Sequence, residues 1–227
     1  MSLRRYTQAR PFNWEPYGMY RIGATSGIQP ATPLANHEVF QFRWNPTNRD
    51  ILAAITRISV SAAVSTTFFA AGVPVQLSLT RASAWSAPGT VGSAITPAAL
   101  HKLDSEMAST ALVAGDARIA GTDANGLGAG TKTLEGEFIG NVVAGGPVTG
   151  SLDGTIFPAG TELFNANMGD GGSPIILRAG AAAANAEGIV IRATAPATGT
   201  WRLSVDIDWI ETTSFPYGVS RRGGGTD

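Results

Sequence analysis

The stretch from Thr200 to Glu211, TWRLSVDIDWIE, constrains the fold more than any other. Trp201, Leu203, Val205, Ile207 and Trp209 hold the odd positions, and Arg202, Ser204, Asp206 and Asp208 the even ones. Successive side chains of a strand point to opposite faces, so this period makes a strand with one apolar and one polar face. The same alternation recurs along the chain. EVFQFRW sets Phe40, Phe42 and Trp44 against Gln41 and Arg43, and ITRISVSAAV sets Ile58, Val60, Ala62 and Val64 against Ser59 and Ser61. VPVQLSL runs Val73, Val75, Leu77 and Leu79, with Pro74 marking a strand start or an edge. TLEGEFI sets Leu134 and Phe138 against Glu135 and Glu137, and GIVIRA supplies a further strand. Turn-rich segments (APGTVGS, GTDANGLGAGT, VAGGPVTG, NMGDGGSP) lie between these runs. Short alternating strands separated by turns predict an all-β sandwich or barrel.

One segment, TPAALHKLDSEM, has a helical pattern: Thr96 can cap, Pro97 suits the first helical position, and Leu100, Leu103 and Met107 share a face. Residues 1–20 show no period and read as an extended arm, residues 21–215 as a single sandwich domain, and residues 216–227, ending in GGGTD, as a flexible tail. No repeat of fixed period and no interdomain linker is visible.

Composition narrows the function classes. The 227 residues carry 16 Lys+Arg against 17 Asp+Glu, which argues against a general nucleic-acid binder. Only 15% of residues are charged, where roughly 25% is usual. A surface so poor in charge predicts contact with other protein. There is no cysteine, so disulfides and cysteine metal sites are excluded. Residues 58–79 are weakly charged, but Ser59, Ser61, Ser65, Thr66, Thr67, Pro74 and Gln76 interrupt them. A membrane-spanning helix needs about 20 predominantly apolar residues, so no membrane partner is expected. MSLRRYTQARPFNW has a basic start with no apolar core after it, and does not read as a secretory signal.

Candidate chemistry is sparse. Asp206 and Asp208 lie on one strand face, within reach of one metal or one substrate; i, i+2 strand neighbours approximate the roughly 5–5.5 Å carboxyl separation of a retaining glycosidase. An ordinary polar face explains both aspartates together with Arg202 and Ser204, and is the reading adopted. His37 and His101 have no partner at metal-ligand spacing. GATSG (23–27) has Thr25 where a nucleophile elbow has serine, and reads as a turn. DANG (123–126) and NMGDGGS (167–173) offer oxygens without calcium-loop spacing; turn chemistry accounts for them. No phosphate-loop lysine accompanies any glycine-rich stretch. No catalytic residue, metal ligand or cofactor is predicted. Trp85, in RASAWSAPGT, falls outside the alternation and is either a ring exposed to glycans or a plug at the core edge. The arm is the better-marked feature. Arginine and aromatic side chains are favoured interface anchors, so Arg4, Arg5, Tyr6, Arg10, Phe12, Trp14 and Tyr17 are the expected protein-contact residues.

With RRYT at the start, MYRIGATSGIQPATPLANHEVFQFRW, DARIAGTDANGLGAGTKTLEGE and EGIVIRATAPATGTWRLSVDIDWIE, the chain resembles a diverse group of tailed-bacteriophage virion proteins. These stretches cover most of the chain in order. GIVIR, a turn and WRLSVDIDW also look like the closing hairpin of jelly-roll proteins that assemble as trimers. The resemblance implies a jelly-roll-like antiparallel β-sandwich with an extended N-terminal arm and at most one short helix. It implies a non-enzymatic capsid cement or decoration protein on the virion surface, assembled in the bacterial cytoplasm. Its partners would be the major capsid protein and further copies of itself, with a trimer favoured. It carries over no catalytic residue. The alternative is a binding module of a tail or fibre that contacts host-surface glycans.

Overall fold

The computed structural model describes residues 18–30, 37–96, 101–103, 107–122, 126–127, 131–167, 173–196 and 198–213. The arm residues Arg4, Arg5, Tyr6, Arg10, Phe12, Trp14 and Tyr17, and the tail 216–227, lie outside the described residues. In chain order the strands are β1 (Gly18–Thr25), β2 (Gln29–Pro30), β3 (His37–Trp44), β4 (Leu52–Val64) and β5 (Pro74–Trp85). They continue with β6 (Ser93–Ala94), β7 (His101–Lys102), β8 (Ala117–Ile119), β9 (Thr133–Leu134) and β10 (Gly140–Gly145). The last are β11 (Thr155–Asn165), β12 (Ile175–Leu177), β13 (Ala186–Thr194) and β14 (Thr200–Thr212). The helical content among the described residues is one 3-10 turn, Ala183–Asn185.

Two antiparallel sheets pack face to face. The front sheet runs β11-β4-β14-β1-β7, and the back sheet β10-β5-β13-β3-β8-β6. Eight long strands carry the topology, β1, β14, β4 and β11 in front and β3, β13, β5 and β10 behind. The chain passes between the sheets at nearly every step, from β3 to β4 to β5 and from β10 to β11 to β13 to β14. This interleaving is the two-Greek-key order of a jelly roll. It also corrects one reading. β13 and β14 do not form a hairpin, because β13 pairs with β3 and β5 while β14 pairs with β1 and β4. The connection after β13 is an arch from one sheet to the other, and Gly199 takes φ +101° just before β14.

The apolar faces meet as the alternation requires. Trp201, Leu203, Val205, Ile207 and Trp209 of β14 are buried against Phe40, Phe42 and Trp44 of β3. Phe42 meets Trp209 edge-on across the sheets with ring centroids 5.4 Å apart, and Tyr20 stacks on Trp209 at 5.5 Å. Each large aromatic removes some 150–250 Å² from water, so this group holds the two layers together. Pro74 starts β5, where it needs no ladder hydrogen bond.

Four local expectations change. The helix expected over 96–107 is broken at His101 and Lys102, which pair with Arg21 and Tyr20 of β1, while Met19 N–H meets the Met107 sulfur at 3.0 Å; residues 97–100 and 104–106 lie outside the described residues. Closing an open sheet edge outweighs a short, marginal helical pattern. β1 starts at Gly18, inside the stretch read as arm, because Tyr20 is needed against Trp209. Gly23 and Thr25, expected in a turn, belong to β1. TLEGEFI forms a ladder only at Thr133–Leu134. Beyond it Glu135 N–H and Ile139 N–H bond to Arg81 and Leu79, so the loop outruns β5 and Phe138 is left outside.

Candidate interaction face

The outer surface of the front sheet is assembled by strand register. Across β1, β14, β4 and β11 one row reads Arg21, Asp208, Arg57, Asn165, and the next reads Gly23, Asp206, Ser59, Glu162. A third row brings Thr25, Ser204 and Ser61 together. Residues opposite one another on one sheet face interact directly. Arg21 donates to both carboxylate oxygens of Asp208, at 2.5 and 2.8 Å. That hydrogen bond, and the charge behind it, raises the Arg21 pKa. Arg57 pairs with Glu162 at 3.7 Å, Asn165 donates to Glu162 at 2.9 Å, and Thr25 and Ser204 share a hydrogen bond of 2.9 Å. Arg202 and Asp206 make no hydrogen bond or ion pair among the described residues.

Asp206 and Asp208 therefore stand on a strand face, as the alternation requires, and Asp208 is occupied by Arg21. No cluster of three or more His, Cys, Asp or Glu able to hold a metal occurs among the described residues. His37 is buried at the start of β3, its Nε2 3.2 Å from the Gln29 side-chain oxygen, and His101 is exposed on β7, so the fold does not bring the two histidines together. DANG and NMGDGGS fall largely outside the described residues, at 123–125 and 168–172.

The front face is not quite flat. Between β4, β11 and β14 lies a shallow depression of about 440 Å³ lined by Ser61, Ala63, Thr155, Pro158, Arg202 and Ser204. The bulge in β11 between Phe157 and Thr161, with Gly160 at φ +80°, raises its wall. The lining offers hydroxyls, methyl groups and the Arg202 guanidinium, which makes no ion pair among the described residues.

The back sheet is different. Gln41 and Arg43, expected on a wet face, are buried, because the segment between β5 and β10 folds over them. Arg43 donates to Asp116 at 3.0 Å and to the carbonyls of Trp85 and Ser86, each at 3.1 Å. The buried Asp116 carboxyl is pushed up to about 6 by loss of water, which Arg43 only partly offsets. Lys132 reaches Glu38 at 2.8 Å and lies 4.9 Å from the Trp85 ring centre. Trp85 is wholly buried, packs with Ala82, Ala186, Val190 and Leu134, and donates its indole N–H to Ala87 at 2.7 Å. It is a plug and has no face to offer a sugar.

A second buried carboxylate closes the end of β14. Glu211 accepts from Thr110 at 2.5 Å, Ala111 N–H at 2.9 Å and Trp209 at 3.1 Å. Burial nevertheless raises its pKa. The neighbouring Tyr20 hydroxyl, donating to the Ala108 carbonyl at 2.9 Å, is pushed up to about 12 by burial first and the Glu211 charge second. Neither Asp116 nor Glu211 is marked in the sequence. The available signal was the length of the β5–β10 excursion: so long a segment, alternating only at TLEGEFI, has to lie on something. No family model, curated protein or solved structure matches the chain.

Proposed function

We propose that the protein is a non-enzymatic virion component, a capsid cement or decoration protein that binds the major capsid protein lattice. The observation that carries this reading is a front sheet over which none of the described residues fold, in a jelly roll whose back sheet is sealed by its own loops. A broad face of short polar side chains, with most charges paired internally, suits a neighbour that lies flat against it. The chain's low charge and its resemblance to phage virion proteins support the same reading. Cement acts by binding assembled neighbours better than separated ones, which stabilises the shell by mass action. The arm residues Arg4, Arg5, Tyr6, Arg10, Phe12, Trp14 and Tyr17 supply a second grip on a neighbouring subunit, in the manner of strand addition.

The test is the copy number in purified particles, by quantitative mass spectrometry against the major capsid protein. A ratio approaching that of the capsid protein supports a shell component. A ratio on the scale of one tail assigns it to the tail, and absence from particles discards the proposal. In the same particles, deletion of residues 1–17 is expected to abolish occupancy while the circular dichroism of the free protein keeps its β signature. Unchanged occupancy removes the arm from the mechanism.

A further inference from the structure

Each sheet has two ends, and three of the four are blunted. On the front sheet β11 carries register shifts at three places, Pro158 and the charge of Glu162, and the other end closes on the two-residue β7 with Lys102. On the back sheet one end closes on the two-residue β6. Bulges, proline, charge and very short strands are the usual protections of an edge against pairing with another chain. β10 has none of them. It pairs with β5 alone, runs regularly through its whole register, and lies in a stretch from Phe138 to Leu152 without a charged residue. Exposed apolar side chains gather there as well. Phe138, just before β10, and Val143 on it are 47% and 57% exposed, and Val73, beside the end of β10, is 48% exposed.

We infer that the free edge of β10 is a docking surface for a second copy of this chain, paired antiparallel about a two-fold axis at Val143. Its charge pattern selects this occupant. With no charge on the strand, self-pairing sets no like charges opposite one another, and a formal net charge of −1 leaves little long-range repulsion between copies. The face alternation selects the register. Asn141, Val143 and Gly145 are the exposed positions, so a two-fold at Val143 sets Val143 beside Val143 of the second copy, and Asn141 beside its Gly145. A valine pair is a favourable cross-strand contact. The two back sheets then become one continuous sheet, and an isologous contact of this kind closes at two copies. This inference does not depend on the virion reading, and it differs from the trimer that the jelly-roll resemblance implies.

Sedimentation of the full chain and of Val143→Lys tests it, with a thiol trap beside them. The wild type is expected to sediment as a dimer and Val143→Lys as a monomer with unchanged circular dichroism, since the side chain is exposed. The chain has no cysteine, so Val143→Cys places one thiol per copy. Directly paired residues have Cα atoms about 4.5–5.5 Å apart, within disulfide reach. Mild oxidation should therefore join most Val143→Cys chains in pairs, while the exposed control Val113→Cys remains unjoined. A wild-type monomer or trimer, a Val143→Lys dimer, or equal trapping of both cysteine variants would overturn it.

Discussion

Arg43 of the back sheet and Arg202 of the front sheet occupy the same kind of position, an arginine beside buried tryptophan and phenylalanine or leucine on an alternating strand. Arg43 is 5% exposed and bound on three sides, to Asp116, Trp85 and Ser86, whereas Arg202 is exposed and makes no ion pair among the described residues. The difference does not come from the strands. It comes from the segment between β5 and β10, which returns over the back sheet and seals it, while nothing of the described chain returns over the front. The back face is therefore a second, smaller interior, and the front face stays open to solvent among the described residues. If this comparison is right, substitutions behind should cost stability, and substitutions in front should cost little.

The sharpest way to break it is Arg43→Ala. Removing one partner of a buried pair leaves the other charge uncompensated, which costs about 3–5 kcal/mol. Urea unfolding should show that loss, and a loss below about 1 kcal/mol would mean the back face is not sealed. A pH series comes next. The Asp116 carboxyl is raised from 3.8 to about 6 in the folded protein. Between those values the folded state holds a proton that the unfolded state has released, so this group's contribution to stability falls as pH rises. The contribution is fully present below about pH 4 and gone above about pH 6, a change of about 3 kcal/mol. Glu211, also raised by burial, acts in the same direction. Unfolding of wild type and Asp116→Asn at pH 4 and pH 7 should show a shallower dependence in the variant; identical slopes would reject the assignment to Asp116.

The front face should respond weakly. Asp208→Asn loosens the half-exposed pair with Arg21 and should cost about 0.2–1 kcal/mol. Asp206→Asn, at a carboxylate with no direct partner among the described residues, should stay within about 0.5 kcal/mol. Thermal unfolding of the two variants and their double ranks them. A front-face loss as large as that of Arg43→Ala would erase the contrast between the sheets. On purified particles the same variants should lower occupancy more than stability if the front face is the docking surface.

Much of this protein was legible in one dimension. Period-two alternation at 40–44, 58–64, 75–79 and 201–209 located the long strands and their inward faces, because pleat geometry and apolar burial act within a few residues. It also placed Asp206 and Asp208 together on the outer face of β14, since a residue between buried tryptophan, leucine, valine and isoleucine neighbours on such a strand has to face outward. Where local rules met a tertiary demand they gave way. The helical pattern yielded at His101 and Lys102 to edge closure on β1, and TLEGEFI yielded to a loop that outran β5. The front face itself could be drawn from sequence strand by strand, but not its rows, because register is a relation between strands far apart in the chain.

What the sequence by itself determined, then, is which residues form strands and which side of each is apolar. Those depend on the backbone's two-residue period and on transfer from water. Only the tertiary structure decided that β13 and β14 belong to opposite sheets, that Arg43 and Asp116 meet in the interior, and that Trp85 is a plug. It also decided which polar face stays wet. Alternation says that a side chain points away from the core; whether another segment then covers it depends on the path of a long loop interrupted by many glycines, residues that follow many paths equally well.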